Sequence, residues 1–487
     1  MTRAPKVLVA NRGEIAVRVI RTLRELGLAS VAVYTEVDEG APHVTLADEA
    51  FPLGEPRGYL SVEKLVAGCT QTGATHVHPG YGFLSQSAVF VRACDDAGVT
   101  FIGPSAQAME LLGDKSASRA LAERVGVPVI PGAERCADAA EAKAVAATLG
   151  YPVLLKAAAG GGGKGMRRVN GEDEIAEAFA AAQREASNAF SDDRMLLERF
   201  IFPARHVEVQ ILADGKRAVA IGERECSLQR RYQKVLEEGP ASTISEKTRQ
   251  GLFDSAVALC QAAGYASAGT VEFLVGPDGQ HYFLEVNTRL QVEHPVTECL
   301  TGLDIVRCQI ELADGGSLPE RVAPRGHAIE ARLNAEDAFS GYLPQTGEIL
   351  MLEWPHLPGV RVDSGLTSGQ SVSPHYDSLI AKVIAHGSSR ESARVRLIEA
   401  LQEVVVLGVT TNQRFLIDLL ESDVFRSAET YTTTLESMSF DAPEIPEELR
   451  ALAQGELGSS VSIPQVGDSD VHSPWSRLTD FRVGSMR

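Results

Sequence analysis

The chain lacks the features that a membrane protein, a disulfide scaffold or a zinc module would need. It has no stretch of about 18 uninterrupted apolar residues, which excludes a hydrophobic transmembrane helix. The opening Met-Thr-Arg-Ala-Pro-Lys-Val-Leu-Val-Ala-Asn-Arg-Gly-Glu has no signal-peptide layout and carries an acid too early for a transit peptide. Cys69, Cys94, Cys136, Cys226, Cys260, Cys299 and Cys308 are odd in number, scattered and without a CxxC pair. They read as reduced thiols in a cytosol, with neither a disulfide framework nor a zinc site. Positive charge is the scarcer sign: 46 Lys and Arg against 65 Asp and Glu, a net charge of −19. A surface this acidic argues against a nucleic-acid backbone or an anionic membrane as partner. Basic residues that handle an anionic substrate therefore have to be gathered locally. No solenoid-type repeat or Walker A loop is present, and the turn after the first strand, Asn11-Arg-Gly-Glu14, lacks the GxGxxG fingerprint.

What remains is an ordinary globular balance, 44% apolar and 23% charged over 487 residues. That length corresponds to roughly three domains and a core that needs no staple. Strand signals at 6–10, 30–34, 76–78 and 100–103 alternate with helical patterns at 15–26, 61–72 and 88–97. Alternation of this kind predicts a parallel, doubly wound sheet ending near Leu112. Gly113-Asp114-Lys115 opens a helix. Residues 129–202 read as a small inserted lobe with helices at 138–149 and 172–187. Strands are expected at 207–212, 218–222, 270–275 and 281–286. Residues 327–440 read as strand-rich, then helical at about 390–403. From 441 to about 474 the chain is acidic and rich in Pro, Gly and Ser, a tether or tail.

Two motifs suggest phosphate and metal chemistry. The strand 151–156 runs into Ala157-Ala-Ala-Gly-Gly-Gly-Gly-Lys164-Gly165, followed by a second strand at 166–169. Glycines let backbone N–H groups approach phosphate, and Lys156 and Lys164 bring charge. The alternative is a flexible linker, but a linker does not usually sit between two apolar strands flanked by lysines. Further on, 270–275 and 280–287 read as a hairpin around Gly276-Pro-Asp-Gly279. A four-residue loop sets Val275 opposite Gln280 and Glu272 opposite Phe283. Glu272, Glu285 and Asn287 then project from one face, as hard oxygen ligands for a divalent cation. The alternative is a solvated polar face; a loop one residue shorter or longer would put the acids on opposite faces.

The run Asn287-Thr-Arg289-Leu-Gln291-Val-Glu293-His294-Pro295 is dense in ionisable groups. Arg289 offers a planar fork that matches a small oxyanion, and Glu293 could accept a proton. Arg224, Arg230, Arg231 and Lys234 form the local basic cluster that the composition calls for, although such clusters are commonly solvated faces. His206 sits on an alternating strand, where most histidines are structural.

These segments resemble the biotin carboxylase family of ATP-grasp enzymes. The resemblance rests on Ala10-Asn-Arg-Gly-Glu-Ile-Ala16, His78-Pro-Gly-Tyr81-Gly-Phe-Leu-Ser85, Gly113-Asp-Lys115, Lys156 with the glycine run to Met166, and Gln229-Arg-Arg-Tyr-Gln-Lys234. It continues through Phe283 to Thr297, His327-Ala-Ile-Glu-Ala-Arg332-Leu-Asn-Ala-Glu-Asp337 and Tyr376-Asp-Ser-Leu-Ile-Ala-Lys382, all in order over residues 5–435. It implies an α/β ATP-grasp fold: a Rossmann-like domain at 1–112, an ATP-grasp domain at 113–325 with a mobile glycine-loop lid at about 130–203, an α+β C-terminal domain at 326–440 and a tail at 441–487.

In that family the matching positions take the following roles. Lys115, Lys156 and the loop glycines Gly161, Gly162 and Gly163 hold ATP phosphates. Glu198 meets the adenine, and His206 and Gln229 lie near nucleotide or substrate. Glu272, Glu285 and Asn287 bind Mg²⁺ or Mn²⁺. Arg289, Gln291 and the Val292 backbone hold bicarbonate; Glu293 is the base, with Lys234 in the catalytic set. Arg332 offsets the charge of the biotin enolate, and Tyr81 lies by the ureido ring. The implied reaction is ATP-dependent carboxylation of biotin through carboxyphosphate, in a cytoplasmic homodimer.

Three departures stand out. Tyr232 replaces a common His, Ala159 replaces a lid glycine, and no Ala-Met-Lys-Met biotin-attachment motif occurs. The biotin carrier is therefore expected on another chain, beside a carboxyltransferase subunit that chooses the acceptor: acetyl-, propionyl- or methylcrotonyl-CoA, pyruvate or urea. The segment His472-Ser-Pro-Trp-Ser-Arg-Leu-Thr-Asp-Phe-Arg482 resembles one that precedes further domains in longer α subunits. The competing readings are another ATP-grasp ligase, which would lack the Arg289–Glu293 run together with Arg332, and a catalytically silent structural subunit, which would have lost a metal acid, Lys234, Glu293 or Arg332.

Overall fold

The N-terminal segment forms a five-stranded parallel sheet. In the computed structural model, which describes residues 5–157, 166–190, 194–231, 233–320, 322–444 and 447, its strands are β1 (Lys6–Val9), β2 (Ala29–Thr35), β3 (Glu49–Gly54), β4 (His76–His78) and β5 (Thr100–Phe101), in the order β3-β2-β1-β4-β5. Val7 and Val9 face one core, Leu8 and Ala10 the other, so both faces of the sheet are covered. Helix α1 (Gly13–Glu25) begins two residues before its apolar pattern and buries Ile15, Ala16, Val19, Ile20 and Leu23. Strand β3 is absent from the sequence-based expectation. It lies at the edge, contains Pro52 and is largely exposed, so no apolar run marks it.

Helix α2 (Lys115–Arg124) leads into the inserted lobe. There β6 (Gly132–Cys136), β7 (Val153–Ala157), β8 (Arg167–Val169) and β9 (Met195–Arg199) form an antiparallel sheet in the order β6-β9-β7-β8. Helices α3 (Ala139–Leu149) and α4 (Ile175–Phe190) cover it through Ala142, Ala146, Phe179 and Ala182. Strand alternation directs Val153, Leu155 and Leu197 toward these helices and leaves Lys156 and Glu198 on the other face. Ala158 to Gly165, with the loop glycines and Lys164, lie outside the described residues.

An eight-stranded antiparallel sheet dominates the rest. Its strands are β10 (Arg205–Asp214), β11 (Ala218–Arg230), β12 (Gln233–Gly239), β13 (Ala266–Val275), β14 (His281–Asn287), β15 (His327–Asn334), β16 (Val360–Ser364) and β17 (Leu379–Gly387). Their order is β14-β13-β10-β11-β12-β15-β17-β16, so the sheet runs without a break from the carboxylate hairpin to the C-terminal segment. Helix α5 (Glu246–Ala262) packs on one end, α6 (His294–Thr301) lies over the middle, and α7 (Arg390–Glu403) covers the other end through Ala393, Leu397, Ala400 and Leu401. Residues to Phe440 form one compact unit. The proposed acidic tail lies almost wholly outside the described residues. Among the described residues no helix is long and apolar enough to cross a membrane.

The hairpin differs from its expected register. Val275 pairs with His281 rather than Gln280, and Gly276 closes the turn by donating its N–H to the Gln280 carbonyl at 2.8 Å. The loop is thus one residue longer than expected, a slip that alone would send Glu272 and Glu285 to opposite faces. A bulge cancels it: Phe273 pairs with Phe283, the ladder skips Leu284, and Glu272 then stands directly opposite Glu285. Phe273, Val275, Phe283 and Val286 fill the core, while Leu274, Tyr282 and Leu284 pack against Ile130, Ile201 and Ala204. The buried set is therefore not the expected one, with Phe283 in place of Tyr282 and Leu284. Phe273 is fully buried between the hairpin and α5; Phe273→Ala is expected to destabilise the fold by about 3–5 kcal/mol. Urea denaturation checks this, and a loss under about 1 kcal/mol would show that the bulged register is not held by that packing.

Candidate active site

Cross-strand neighbours in an antiparallel sheet share a face, and here they form two rows of charge. Glu285, Glu272, Glu208 and Arg224 stand opposite one another in turn across β14, β13, β10 and β11. Arg332, Lys382 and Asp363 do the same across β15, β17 and β16. The segment 287–293 and the start of α6 are laid across both rows.

Lys234, on β12, joins the rows. Its Nζ lies 2.5 Å from Glu208 Oε2, 2.9 Å from Glu272 Oε1 and 2.6 Å from Glu293 Oε1. Arg332 Nη2 lies 3.0 Å from Glu293 Oε2 and 2.5 Å from Glu237 Oε1. Arg224 is fully buried; it pairs with Glu208 at 2.6 Å and donates to Thr297 Oγ1 of α6 at 2.7 Å, tying the helix that follows Glu293 to the sheet. Burial opposes the charge on Glu293, but Lys234, Arg332 and Arg224 outweigh it and hold the carboxyl well below the usual carboxylate range. Glu272 is treated likewise: burial raises it, and Lys234 and His206, whose Nε2 lies 3.1 Å from Glu272 Oε2, bring it well below.

The metal-ligand candidates meet as the hairpin argument required, by way of the bulge. Asn287 Nδ2 donates to Glu272 Oε1 at 2.9 Å, and Gln291 Nε2 donates to the same oxygen at 2.9 Å. Burial first, then repulsion from Glu272, pushes Glu285 upward, so a cation between the two acids would relieve it. Two facing carboxylates thus suit a hard divalent cation, while Asn287 turns its Nδ2 to Glu272 and its Oδ1 to Arg289. Lys115, at the start of α2, feels Glu285, Lys156 and Glu198; burial first, then Lys156, lowers its pKa. Lys156 pairs with Glu198, which also lies 3.2 Å from Arg119. Lysines from the lobe and from α2 thus stand near the hairpin acid Glu285.

Arg289 donates to Asn287 Oδ1 (3.1 Å), Gln291 Oε1 (2.8 Å), the Leu290 carbonyl (3.0 Å) and Gln86 Oε1 (2.9 Å). Among the described residues these partners are neutral oxygens, so the fork keeps its charge for an anion. The Val292 carbonyl accepts from Lys382 at 2.9 Å. Tyr81 donates its hydroxyl to Glu14. Gln229 is turned back on the Cys226 carbonyl at 2.8 Å. Gly161, Gly162, Gly163 and Tyr232 lie outside the described residues.

The expected basic cluster is divided. Arg224 and Lys234 are buried in ion pairs, while Arg230 stacks on Tyr342 at 3.8 Å from the ring centroid. Strand β11 runs to Arg230 rather than ending near 222, two register shifts lie between Arg224 and Arg230, and Lys234 stands on β12. Glu208, Glu237, Glu14 and Lys382 were assigned no role from the sequence. Glu208 has a local signal, alternation with His206 on one strand; Glu237 and Lys382 acquire their place through pairing with distant strands, and Glu14 through the packing of α1. The seven cysteines are free thiols and five of them are buried.

Lys115 and Lys156 beside the facing acids Glu272 and Glu285, and an ionised Glu293 near the neutrally partnered Arg289, are set on the fold of an ATP-grasp ligase. Residues 3–109 match the family described as biotin carboxylase, N-terminal domain. Residues 114–321 match carbamoyl-phosphate synthase L chain, ATP binding domain, and residues 330–437 match biotin carboxylase C-terminal domain. The chain is 46% identical to biotin carboxylase 1 of Bacillus subtilis, covering 89% of this chain and 98% of that protein. It is 41% identical to the methylcrotonoyl-CoA carboxylase subunit alpha of Dictyostelium discoideum, covering 98% of this chain and 70% of that one. The solved biotin carboxylase from Campylobacter jejuni, a complex with β,γ-ATP, superposes with a TM-score of 0.87 at 41% identity, over 90% of this chain and 99% of that one. The biotin carboxylase domain dimer of 2-oxoglutarate carboxylase from Hydrogenobacter thermophilus, solved with MgADP, ADP and bicarbonate, has a TM-score of 0.87 at 42% identity, over 91% and 100%. This chain belongs to the biotin carboxylase family.

Replacing Lys234 by Met leaves three buried carboxylates facing one another, with an expected loss of about 3–5 kcal/mol. The loss depends on pH. In the wild type, Glu272 and Glu293 have depressed pKa values and contribute stability above their unfolded pKa. In the variant their mutual repulsion raises those values, so protonation favours its folded state as pH falls. The Tm gap between wild type and Lys234→Met should therefore narrow from pH 8 to pH 5; a constant gap would refute the charge-based account.

Proposed function

We propose that the chain is the biotin carboxylase component of an acyl-CoA or related carboxylase. It would carboxylate biotin, borne on a separate carrier protein, with bicarbonate and ATP. The observation that carries this reading is the placement of Glu293 between Lys234 and Arg332, next to Arg289 and Gln291.

In this reading Lys115, Lys156 and the glycine loop cradle the ATP phosphates, Glu198 closes the adenine side, and His206 and Gln229 border the nucleotide. Glu272, Glu285 and Asn287 hold Mg²⁺ or Mn²⁺, which when bound neutralises charge on the phosphates. Arg289, Gln291 and the Val292 backbone clamp bicarbonate in line with the γ-phosphate, replacing a collision by a fixed approach. Glu293 is kept ionised by Lys234 and Arg332, so it is ready to take the bicarbonate proton at its carboxylate. The bicarbonate oxygen attacks the γ-phosphorus and ADP leaves; the carboxyphosphate formed breaks down to CO₂ and phosphate, the phosphate takes the biotin N1 proton, and N1 attacks CO₂ to give carboxybiotin. The Arg332 guanidinium faces the charge that develops on the ureido oxygen, and Tyr81 packs beside that ring.

The domain division is proposed as 1–112, 113–325 with the lid at about 130–203, 326–440 and a tail at 441–487; the central sheet joins the second and third parts. A homodimer, a separate carboxyltransferase and a cytoplasmic location complete the proposal. The buried free thiols support the last. The relatives' own names span methylcrotonoyl-CoA, propionyl-CoA and urea carboxylases, which supports a partner subunit as the part that chooses the acceptor.

The test is ATP hydrolysis with and without bicarbonate and free biotin. Bicarbonate-dependent hydrolysis stimulated by biotin is expected, and absence of biotin stimulation would sink the assignment. Glu293→Gln should abolish bicarbonate-dependent turnover while ATP binding persists; unchanged turnover removes Glu293 as base. Arg332→Ala should reduce carboxybiotin formation more than ATP cleavage, measured side by side. Equal losses would place its effect before the carboxyl transfer.

A further inference from the structure

We propose that Lys382 is a positioning residue for the carboxylation step: its ammonium anchors the backbone immediately before Glu293 and so fixes where that carboxylate stands. This rests on the functional reading above and assigns the reach of the base to a residue that touches no substrate.

Lys382 is wholly buried on β17, opposite Arg332 on one neighbouring strand and Asp363 on the other. Its Nζ donates to the Val292 carbonyl at 2.9 Å, while Arg332 holds the Glu293 carboxylate at 3.0 Å. Two cations adjacent in one row thus grip consecutive links of the same segment, one by its main chain and one by its side chain. Lys234 grips the other carboxylate oxygen at 2.6 Å. With the backbone origin and both oxygens held, Glu293 has little freedom left.

An ammonium in this position is not explained by stability. A buried ion pair is weak evidence for stabilisation, since apolar groups of the same volume often serve as well. Asp363 is already matched by Arg361, at 2.9 and 2.7 Å. Glu14, 3.1 Å from Lys382, is therefore the counter-ion that this lysine adds to the interior. The fold delivers Glu14 by close backbone packing: a Cβ at Gly365 would lie 2.3 Å from the Gly13 carbonyl carbon and 2.4 Å from the Glu14 nitrogen. Glu14 also takes the Tyr81 hydroxyl. One ion pair thus sets both the loop that carries the base and the tyrosine expected beside biotin. What a neutral side chain could not supply here is a charge-assisted donor to the Val292 carbonyl.

The test compares wild type, Lys382→Met, Lys382→Met with Glu14→Gln, and Lys382→Arg in bicarbonate-dependent ATP cleavage. Lys382→Met strands Glu14 and its folding is at risk; the double substitution removes the cation together with the nearest carboxylate, so that Glu14 is not left unpaired. For the double variant kcat is expected to fall about 10- to 100-fold, the cost of a misplaced reacting group, with ATP KM within about twofold of wild type. Lys382→Arg, which keeps a charged donor, is expected to lose less. A folded double variant with kcat within about threefold of wild type overturns the inference. So does a Lys382→Arg as impaired as the double variant. A wild-type protein without bicarbonate-dependent cleavage overturns the functional reading, and this inference with it.

Discussion

Everything at the centre of this protein depends on one buried ammonium. Glu208, Glu272 and Glu293 come from two strands and a loop, and each turns an oxygen toward Lys234 within 2.5–2.9 Å. Without that cation three carboxylates could not remain ionised in a site closed to water, because desolvation and mutual repulsion act in the same direction. With it, Glu293 and Glu272 are both held as carboxylates. Arg224 and Arg332 share the same balance from the flanks. The chain's overall acidity therefore hides a site in which cations and anions nearly cancel.

The sheet makes this arrangement possible. Because directly opposed residues share a face, a charge placed at the right register on each strand joins a row without further design. The first row crosses four strands and presents the metal acids; the second crosses three and presents Arg332 and Lys382. The segment from Asn287 to Glu293 spans the two. A bulge at Leu284 keeps Glu285 in the first row and Asn287 on the same face.

Charge left over is as informative as charge that is paired. Arg289 is held by amide and carbonyl oxygens, which orient its fork without neutralising it. Lys115 and Lys156 crowd one another beside Glu198 and Glu285, and their repulsion is the kind that an incoming polyanion would relieve. Both features set anionic ligands where the acidic surface would otherwise repel them.

Much of this was legible before any coordinates. The parallel N-terminal sheet followed from alternating apolar segments, and the candidate acids, the Arg289–Glu293 run and Lys234 could be named from residue type and spacing, because local chemistry is written locally. The tertiary structure decided what local pattern cannot carry. The hairpin register rested on a loop length and a bulge that compensate each other, so a reading with neither reached the right face by the wrong pairing. Arg224, named from the sequence as part of a basic cluster, is fully buried because β11 continues through it. Glu237 and Arg332 became partners only when β12 and β15 met in one sheet, and Glu14 reached Lys382 only when α1 packed against that sheet. The sequence determined which groups are available and which short segments carry them. Only the tertiary structure determined which charges neutralise which, because electrostatic partnership depends on distance in space, and long-range strand pairing sets that distance.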